Sequence, residues 1–272
     1  MIKISALYIY PVKSLAGIKL KASELSPFGL LNDRRWMIVD NHGQFISQRE
    51  FAIMATIKTS FADKQLVLSH NESQITVPNN TGENKITVTV WKDTLQASHI
   101  CKIVDRWLSD ILNKSCRLVY MENNDQRQID KDFAQDNQFF SFADAFPLLV
   151  ISQASIDNLN TRLDTPVDIN RFRPNMLVTG TSAFAEDDWT DLTINKIDFK
   201  AVKTCSRCIM PSINQETGEQ DQVKMLSTLN KYRKFDKKIK FGQNLIYTDA
   251  NMIDNQIISC GDEINIKKIK KS

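Results

Sequence analysis

Cysteine is scarce in this 272-residue chain, five in all. Cys101, Cys116, Cys205, Cys208 and Cys260 form an odd, scattered set. Such a set argues against a disulfide framework and for a reducing compartment. Histidine is rarer still, and His42, His70 and His99 lie in the first half without ligand spacing. Glycine (8) and proline (7) are few, which removes disorder as an account of the whole chain. No apolar run is long enough to span a bilayer, and the opening MIKISALYIYPVKS lacks the order of a signal peptide. The expectation is a cytoplasmic protein without a membrane partner. Neither charge sign dominates: 35 basic against 32 acidic residues leave a net +3, too little and too dispersed to indicate a nucleic-acid partner. The lysines of the closing INIKKIKKS read as a solvated terminus. There is no internal repeat, no G-x-G-x-x-G and no P-loop.

What is present is mostly strand. KISALYIYPV, RRWMIVD, QFISQ, QLVLSH, QITVP and KITVTVW are short runs rich in β-branched and aromatic residues between turn formers. Asn41, His42 and Gly43 would join RRWMIVD to QFISQ as a hairpin. In KIVDRWLSDILNK, Ile103, Val104, Trp107, Leu108, Ile111 and Leu112 recur at helical spacing, and CRLVYM follows as a strand. The polar stretch 121–138 is the best join, giving domains 1–121 and 122–272. Beyond it come a strand PLLVIS, a helix SQASIDNLNTRL capped by Ser152 or Ser155, a strand RPNMLVTG, and the strand-like LTINKIDFKAVKTC and IKFGQNLIYTDA. MLSTLNKYRKF has helical spacing, and QIISCGDEINIKK reads as a final hairpin. The class is mainly β with inserted helices, as two small barrel-like or partly closed domains.

The stretch KTCSRCIMPSINQETGE carries a C-x-x-C pair. A structural zinc site would need a second pair, which is missing, and a thioredoxin-like dithiol would sit in a βαβ context that the chain lacks. Ligation by one thiolate, a reactive thiol and an inert buried cysteine stand level on this evidence. Arg207 shifts the balance, because a guanidinium beside a thiol favours the thiolate and offers a planar fork to phosphate or carboxylate. Basic side chains at strand ends repeat the theme: Lys13 and Ser14 in YPVKS, Arg34 and Arg35 in DRRW, and Arg171, Arg173 and Asn175 in NRFRPN.

In their order and spacing, YPVKS, GLLNDRRWMIVD, NRFRPNMLVTG, CSRCIMPSINQETGE and FGQNL make the chain resemble MOSC-domain proteins that carry an N-terminal MOSC β-barrel domain. The likeness is to the group of the mitochondrial amidoxime-reducing component and its bacterial relatives, and it covers essentially the whole chain. It implies an N-terminal MOSC barrel-type domain followed by a MOSC barrel. It also implies a molybdenum-pyranopterin (molybdopterin) cofactor with Cys208 as thiolate ligand to molybdenum, and Cys205 as a neighbour that does not ligate. By motif position Lys13, Ser14, Arg34, Arg173, Asn175, Ser206, Arg207 and Asn244 would hold that cofactor. The loop at Asp144 and Ala145 would line the site. The implied activity is reduction of hydroxylamines, amidoximes and N-hydroxylated bases. Electrons would come from a separate flavin or iron-sulfur reductase, since Cys260 alone cannot build a cluster. The rival reading is a sulfur- or cofactor-carrier module with a persulfide on Cys208. Asn214 stands where relatives often have an acidic residue, which bears on substrate range. Asp187, Asp188 and Glu216 are the candidate proton donors, and the charge pattern singles out no docking face for a reductase.

Overall fold

The computed structural model describes residues 1–79, 84–220, 224–249, 253 and 255–270. Seven of its strands close a barrel and are labelled β1 (Ile2–Ile9), β2 (Leu148–Ser152), β3 (Met176–Thr179), β4 (Trp189–Ile194), β5 (Ile197–Ser206), β6 (Lys238–Tyr247) and β7 (Glu263–Ile269). They run in the order β2-β3-β1-β7-β4-β5-β6, and β6 pairs back onto β2. Closure leaves no open edge among the staves. The period of two in β5 shows why this sequence makes a barrel wall: Ile197, Phe199 and Ala201 are buried while Asp198 and Lys200 face water. Ile4, Leu7, Val150, Met176, Leu192, Phe199 and Leu245 fill the interior. The first strand of the chain is therefore a stave, held between β3 and β7.

The rest of the first half forms a four-stranded sheet in the order Trp36–Val39, Arg117–Tyr120, Asp93–His99, Lys85–Val90, and a meander of Lys58–Ala62, Gln65–His70 and Ser73–Thr76. Helix α1 (Lys102–Leu112) buries Val104, Leu108 and Leu112, but leaves Ile103 exposed. In the second half α2 (Gln153–Asn160) and α3 (Met225–Tyr232) pack outside the barrel. Ser152 is the α2 cap, its hydroxyl accepting from the Ser155 N–H. The architecture is mainly β, as the sequence indicates, with three α-helices among the described residues.

Three readings need correction. QFISQ is not a strand: only a bridge between Val39 and Phe45 remains of the hairpin, with Gly43 at φ +78° as its turn. LTINKIDFKAVKTC is two strands, β4 and β5, that turn at Asn195 in left-handed backbone. The closing segment is not a hairpin. The turn between Ser259 and Asp262 exists, but Ile257–Ser259 pairs with Ala22–Ser26 whereas β7 joins β1 and β4. Both flanks carry apolar side chains, Ile258 and Ile264, that the barrel core takes in separately. The lysines of the closing run are solvated: Lys267 and Lys268 lie exposed on β7, with Lys267 paired to Asp198 at 2.7 Å, while Lys271 and Ser272 lie outside the described residues.

Candidate functional site

A cavity of about 350 Å³ opens at one end of the barrel, where the four-stranded sheet leans over it. The residues to which the resemblance gives a place at the cofactor line it: Lys13 and Ser14 beyond β1, Arg34 ahead of Trp36–Val39, Asp144 and Ala145 ahead of β2, Arg173 and Asn175 ahead of β3, Ser206, Arg207 and Cys208 at the end of β5, and Asn244 on β6. Strand ends converge because the barrel staves end together there. That is how segments 130 or more residues apart come to share one wall.

Lys13 is buried, and its ammonium donates to Phe142 O (2.8 Å) and to Asp144 Oδ1 (2.6 Å). It also lies over the rings of Phe45 and Trp91. Burial pulls its pKa down to about 8, against the pull of Asp144. Asp144 faces the cavity, with its side chain 65% accessible. Desolvation opposes its charge, but Lys13, then Arg49 and Arg34, hold its carboxyl well below the usual range. Arg34 bonds Asp33 at 2.5 Å and Arg173 O at 3.1 Å. The Arg34 and Arg173 guanidiniums both pack on the ring of Tyr10, at 4.5 and 4.2 Å. Burial pulls Arg173 down to about 10, which leaves it cationic at neutral pH.

Three of these residues, Ser14, Arg34 and Arg173, have positive φ (68°, 52° and 54°). Backbone strain of this kind collects where a side chain must be aimed rather than merely packed. Arg207 spends Nε on Phe241 O and Nη1 on Phe172 O. Its Nη2 and the Nη2 of Arg173 are buried without a partner. Unsatisfied buried guanidinium donors on a cavity wall are the complement of an anion with several oxygens. Asn175 is used differently: its Oδ1 accepts from Leu149 N–H and its Nδ2 donates to Tyr8 O. Its amide therefore ties β1, β2 and β3 together beneath the cavity. Asn244 likewise donates to Lys203 O, and the Ser206 hydroxyl accepts from Lys240.

The two cysteines differ. Cys208 is exposed on the cavity wall, whereas Cys205 is partly covered and burial pushes its thiol up. Among the described residues there is no cluster of three or more His, Cys, Asp or Glu side chains that could hold a metal ion. A metal in this cavity would therefore find fewer than three such ligands close together on the chain and would need the rest of its shell from a cofactor. The donor set suits such a group: two thiols of which Cys208 is the exposed one, a ring of cations and one carboxylate.

Sequence reasoning missed several residues. Arg49 stacks on Trp91 at 4.4 Å, and Trp91 donates its Nε1–H to Asp144 Oδ1 at 3.2 Å. Lys203 and Lys238 add cations to the wall. Their spacing from the motifs carries no signal; only WKD following a strand hints at a placed aromatic, which the structure holds in left-handed backbone at φ 57°. Arg35 turns away, donating to Met121 O and packing on Phe28. None of the three suggested proton donors lines the cavity. Asp187 pairs with Arg233, and Asp188 and Glu216 are surface carboxylates.

Among the described residues no helix is long and apolar enough to cross a membrane. Two family models match the chain, the MOSC N-terminal beta barrel domain over residues 1–115 and the MOSC domain over residues 137–265. The chain is 32% identical to mitochondrial amidoxime reducing component 2 of Bos taurus, over 85% of this chain and 72% of that protein. It is 30% identical to mitochondrial amidoxime-reducing component 1 of Mus musculus, over 96% and 81%. It is also 29% identical to a molybdenum cofactor sulfurase of Oryza sativa, over 95% of this chain but only 34% of that protein. With a closed barrel, a cationic cavity at its end and this likeness running along nearly the whole length, the chain belongs to the MOSC-domain family with an N-terminal MOSC β-barrel, the family that includes the amidoxime-reducing components.

Proposed function

We propose that the protein is a molybdenum-cofactor-dependent reductase of N-hydroxylated compounds, with Cys208 as the thiolate ligand to molybdenum. The observation that carries this reading is the exposed Cys208 thiol on the wall of a cavity where Arg173 and Arg207 hold donors that no protein atom accepts. When bound, the cofactor supplies two-electron reduction at a metal whose sulfur-rich shell suits a thiolate. In the net reaction the N–O bond breaks, nitrogen gains hydrogen and oxygen leaves as water, consuming two electrons and two protons.

The chain's own part is placement. Lys13, Arg34, Arg173 and Arg207 neutralise the anionic cofactor, and the fixed left-handed backbone at Ser14, Arg34 and Arg173 keeps the cradle from collapsing on itself. Trp91 and Phe45 cover the cavity on the side of the four-stranded sheet and limit water at the reacting bond. Electrons come from a separate donor protein.

The test is expression with molybdate in a host that makes the cofactor, for the parent and for Cys208→Ala. The parent should hold molybdenum at a substantial fraction of one per chain and reduce an N-hydroxy compound with reduced viologen, and the variant should not. Undiminished activity of the variant sinks the ligand assignment. Sulfane sulfur on Cys208 with no metal establishes the carrier reading instead.

A further inference from the structure

Next to Cys208 the chain reads KYRKFDKKIK from Lys231 to Lys240, six basic residues against the single Asp236. The structure folds this run into a hairpin at the rim of the cavity. Lys234 pairs with Ile239 and Phe235 with Lys238, leaving Asp236 and Lys237 as a two-residue turn with both φ values positive (51° and 63°). That is the type I′ geometry which Asn-Gly fills most comfortably, so two charged side chains stand where local backbone energy favours others. The hairpin is fixed to the site from below: Ser206 lies opposite Lys240 across the ladder, and the Arg207 N–H donates to Ile239 O at 2.8 Å. Lys238 lines the cavity itself.

At the tip Phe235 is 50% exposed, and on the Cys208 side Ile209 is 45% exposed. The inner face of Phe235 rests against the guanidinium of Arg233 at 5.3 Å. Arg233 is buried, bonded to Lys240 O and Asp187 and stacked on Phe184. It serves as a pedestal and is not available to a partner. What remains outward is a half-exposed ring flanked by Lys234 and Lys237, with Lys238 behind it. An apolar anchor ringed by charge of one sign is the pattern of a small, transient protein interface, in which the charges steer encounter and the ring supplies grip. The turn that follows Ile209 in sequence carries Glu216 and Glu219, so the cationic character belongs to the hairpin and not to that segment.

Resting on the reductase reading, we infer that the Lys234–Lys238 tip together with Ile209 is the docking surface for the electron-donor protein, which presents an acidic face around its redox group. The tip places that group beside the rim that carries Cys208, since Ile239 of the hairpin accepts from the Arg207 N–H. The basic run is already continuous in the sequence; what the hairpin adds is the half-exposed Phe235 at its tip.

The probe is an acidic flavodoxin, used oxidised for binding and reduced for turnover, with the holoenzyme and the double variant Lys234→Glu/Lys237→Glu. Binding to the parent should weaken as salt rises past about 0.15 M, where the Debye length is about 8 Å. The variant should bind at least tenfold more weakly at low salt and lose most of that salt dependence. Phe235→Ala should weaken binding several-fold while keeping the salt slope. Viologen-driven turnover should be unchanged in both, because neither touches the cavity wall. Equal flavodoxin affinity of parent and double variant, or no binding to the parent at low salt, overturns the docking surface alone. Absence of viologen-driven turnover in a metal-loaded parent overturns the reductase reading, and the docking proposal with it.

Discussion

The Lys13 ammonium and the Asp144 carboxylate, 131 residues apart in sequence, meet at 2.6 Å on the cavity wall. The contact spans the two halves of the chain, one residue following the first barrel strand and the other preceding the second. It sets the charge of the cradle. Burial makes Lys13 lose its proton more readily; Asp144 limits that loss, whereas Arg127 and Arg34 promote it.

A pH dependence of anion binding follows. Below about 8 Lys13 is charged, and it loses its proton as pH rises through that value. A phosphate monoester is already fully ionised there, its second pKa being about 6, and the last proton of pyrophosphate leaves within this window and only adds negative charge, so a fall in affinity reports the protein. Calorimetry with inorganic pyrophosphate on cofactor-free protein should show affinity falling between pH about 7.5 and about 9.5, by up to about tenfold per unit. Asp144→Asn removes the carboxylate that supports the charge, so the fall should begin at lower pH. Lys13→Arg should flatten it. A flat parent profile contradicts the role given to Lys13.

Arg173 supplies a second prediction, on retention against stability. Its Nη1 makes one long bond to Gln215 (3.4 Å), and its Nη2 makes none. Removing a buried, poorly satisfied guanidinium costs the fold little, because its desolvation penalty goes with it. Arg173→Ala should change the Tm of cofactor-free protein by no more than about 2–4 °C, the equivalent of about 1 kcal/mol. It should also lower molybdenum content after expression by roughly tenfold or more, as for loss of a charge-assisted fork. A large fall in Tm with full metal content would reverse the assignment.

How much of this site the sequence discloses depends on whether its parts are local. YPVKS, NDRRW, NRFRPN, CSRC and FGQN are each a strand end with its own polar signature, so their roles can be read one motif at a time. Arg49 and Trp91 cannot be read so: each is one residue in an ordinary stretch, and only the lean of the four-stranded sheet brings them to Asp144. Strand identity was likewise legible from period-two burial, as in β5. Partner choice was not, because the turn at Gly261 looks the same whether its flanks pair with each other or diverge to Ala22–Ser26 and to β1. Asn175 shows a subtler limit. Its motif position marks the site correctly, but only the bonds to Leu149 and Tyr8 reveal that its amide serves the strands.

Gly242 gives a prediction about the cradle's floor. It has φ +82°, and an added Cβ would lie 2.6 Å from Ile151 Cγ1, 3.0 Å from Val150 O and 3.3 Å from Arg207 Nη2. Alanine here meets both backbone strain and a crowded floor, costing about 1–3 kcal/mol. Gly242→Ala should lower Tm by several degrees and weaken pyrophosphate binding as Arg207 is displaced. Gly261→Ala is the control: φ is +98° but the space is open, so it should lose some stability and keep full anion affinity. If the two variants bind pyrophosphate equally, Gly242 has no part in aiming Arg207.

The thiols offer a check on Cys208 that needs no turnover. Cys208 and Cys260 are exposed, Cys101 and Cys205 are partly covered, and Cys116 is buried with its thiol pushed up to about 11, chiefly by desolvation. Since alkylation requires both access and thiolate, brief iodoacetamide treatment near neutral pH followed by mass spectrometry should label Cys208 and Cys260 first and Cys116 last. Loading with cofactor should then protect Cys208 alone, because Cys260 sits by Leu20 O, away from the cavity wall. A sulfur that shares its charge with a metal is a poorer nucleophile, and a filled cavity leaves the reagent little room, so protection should be strong. If Cys208 reacts equally in metal-free and metal-loaded protein while Cys205 becomes silent, the ligand is the earlier cysteine of the pair.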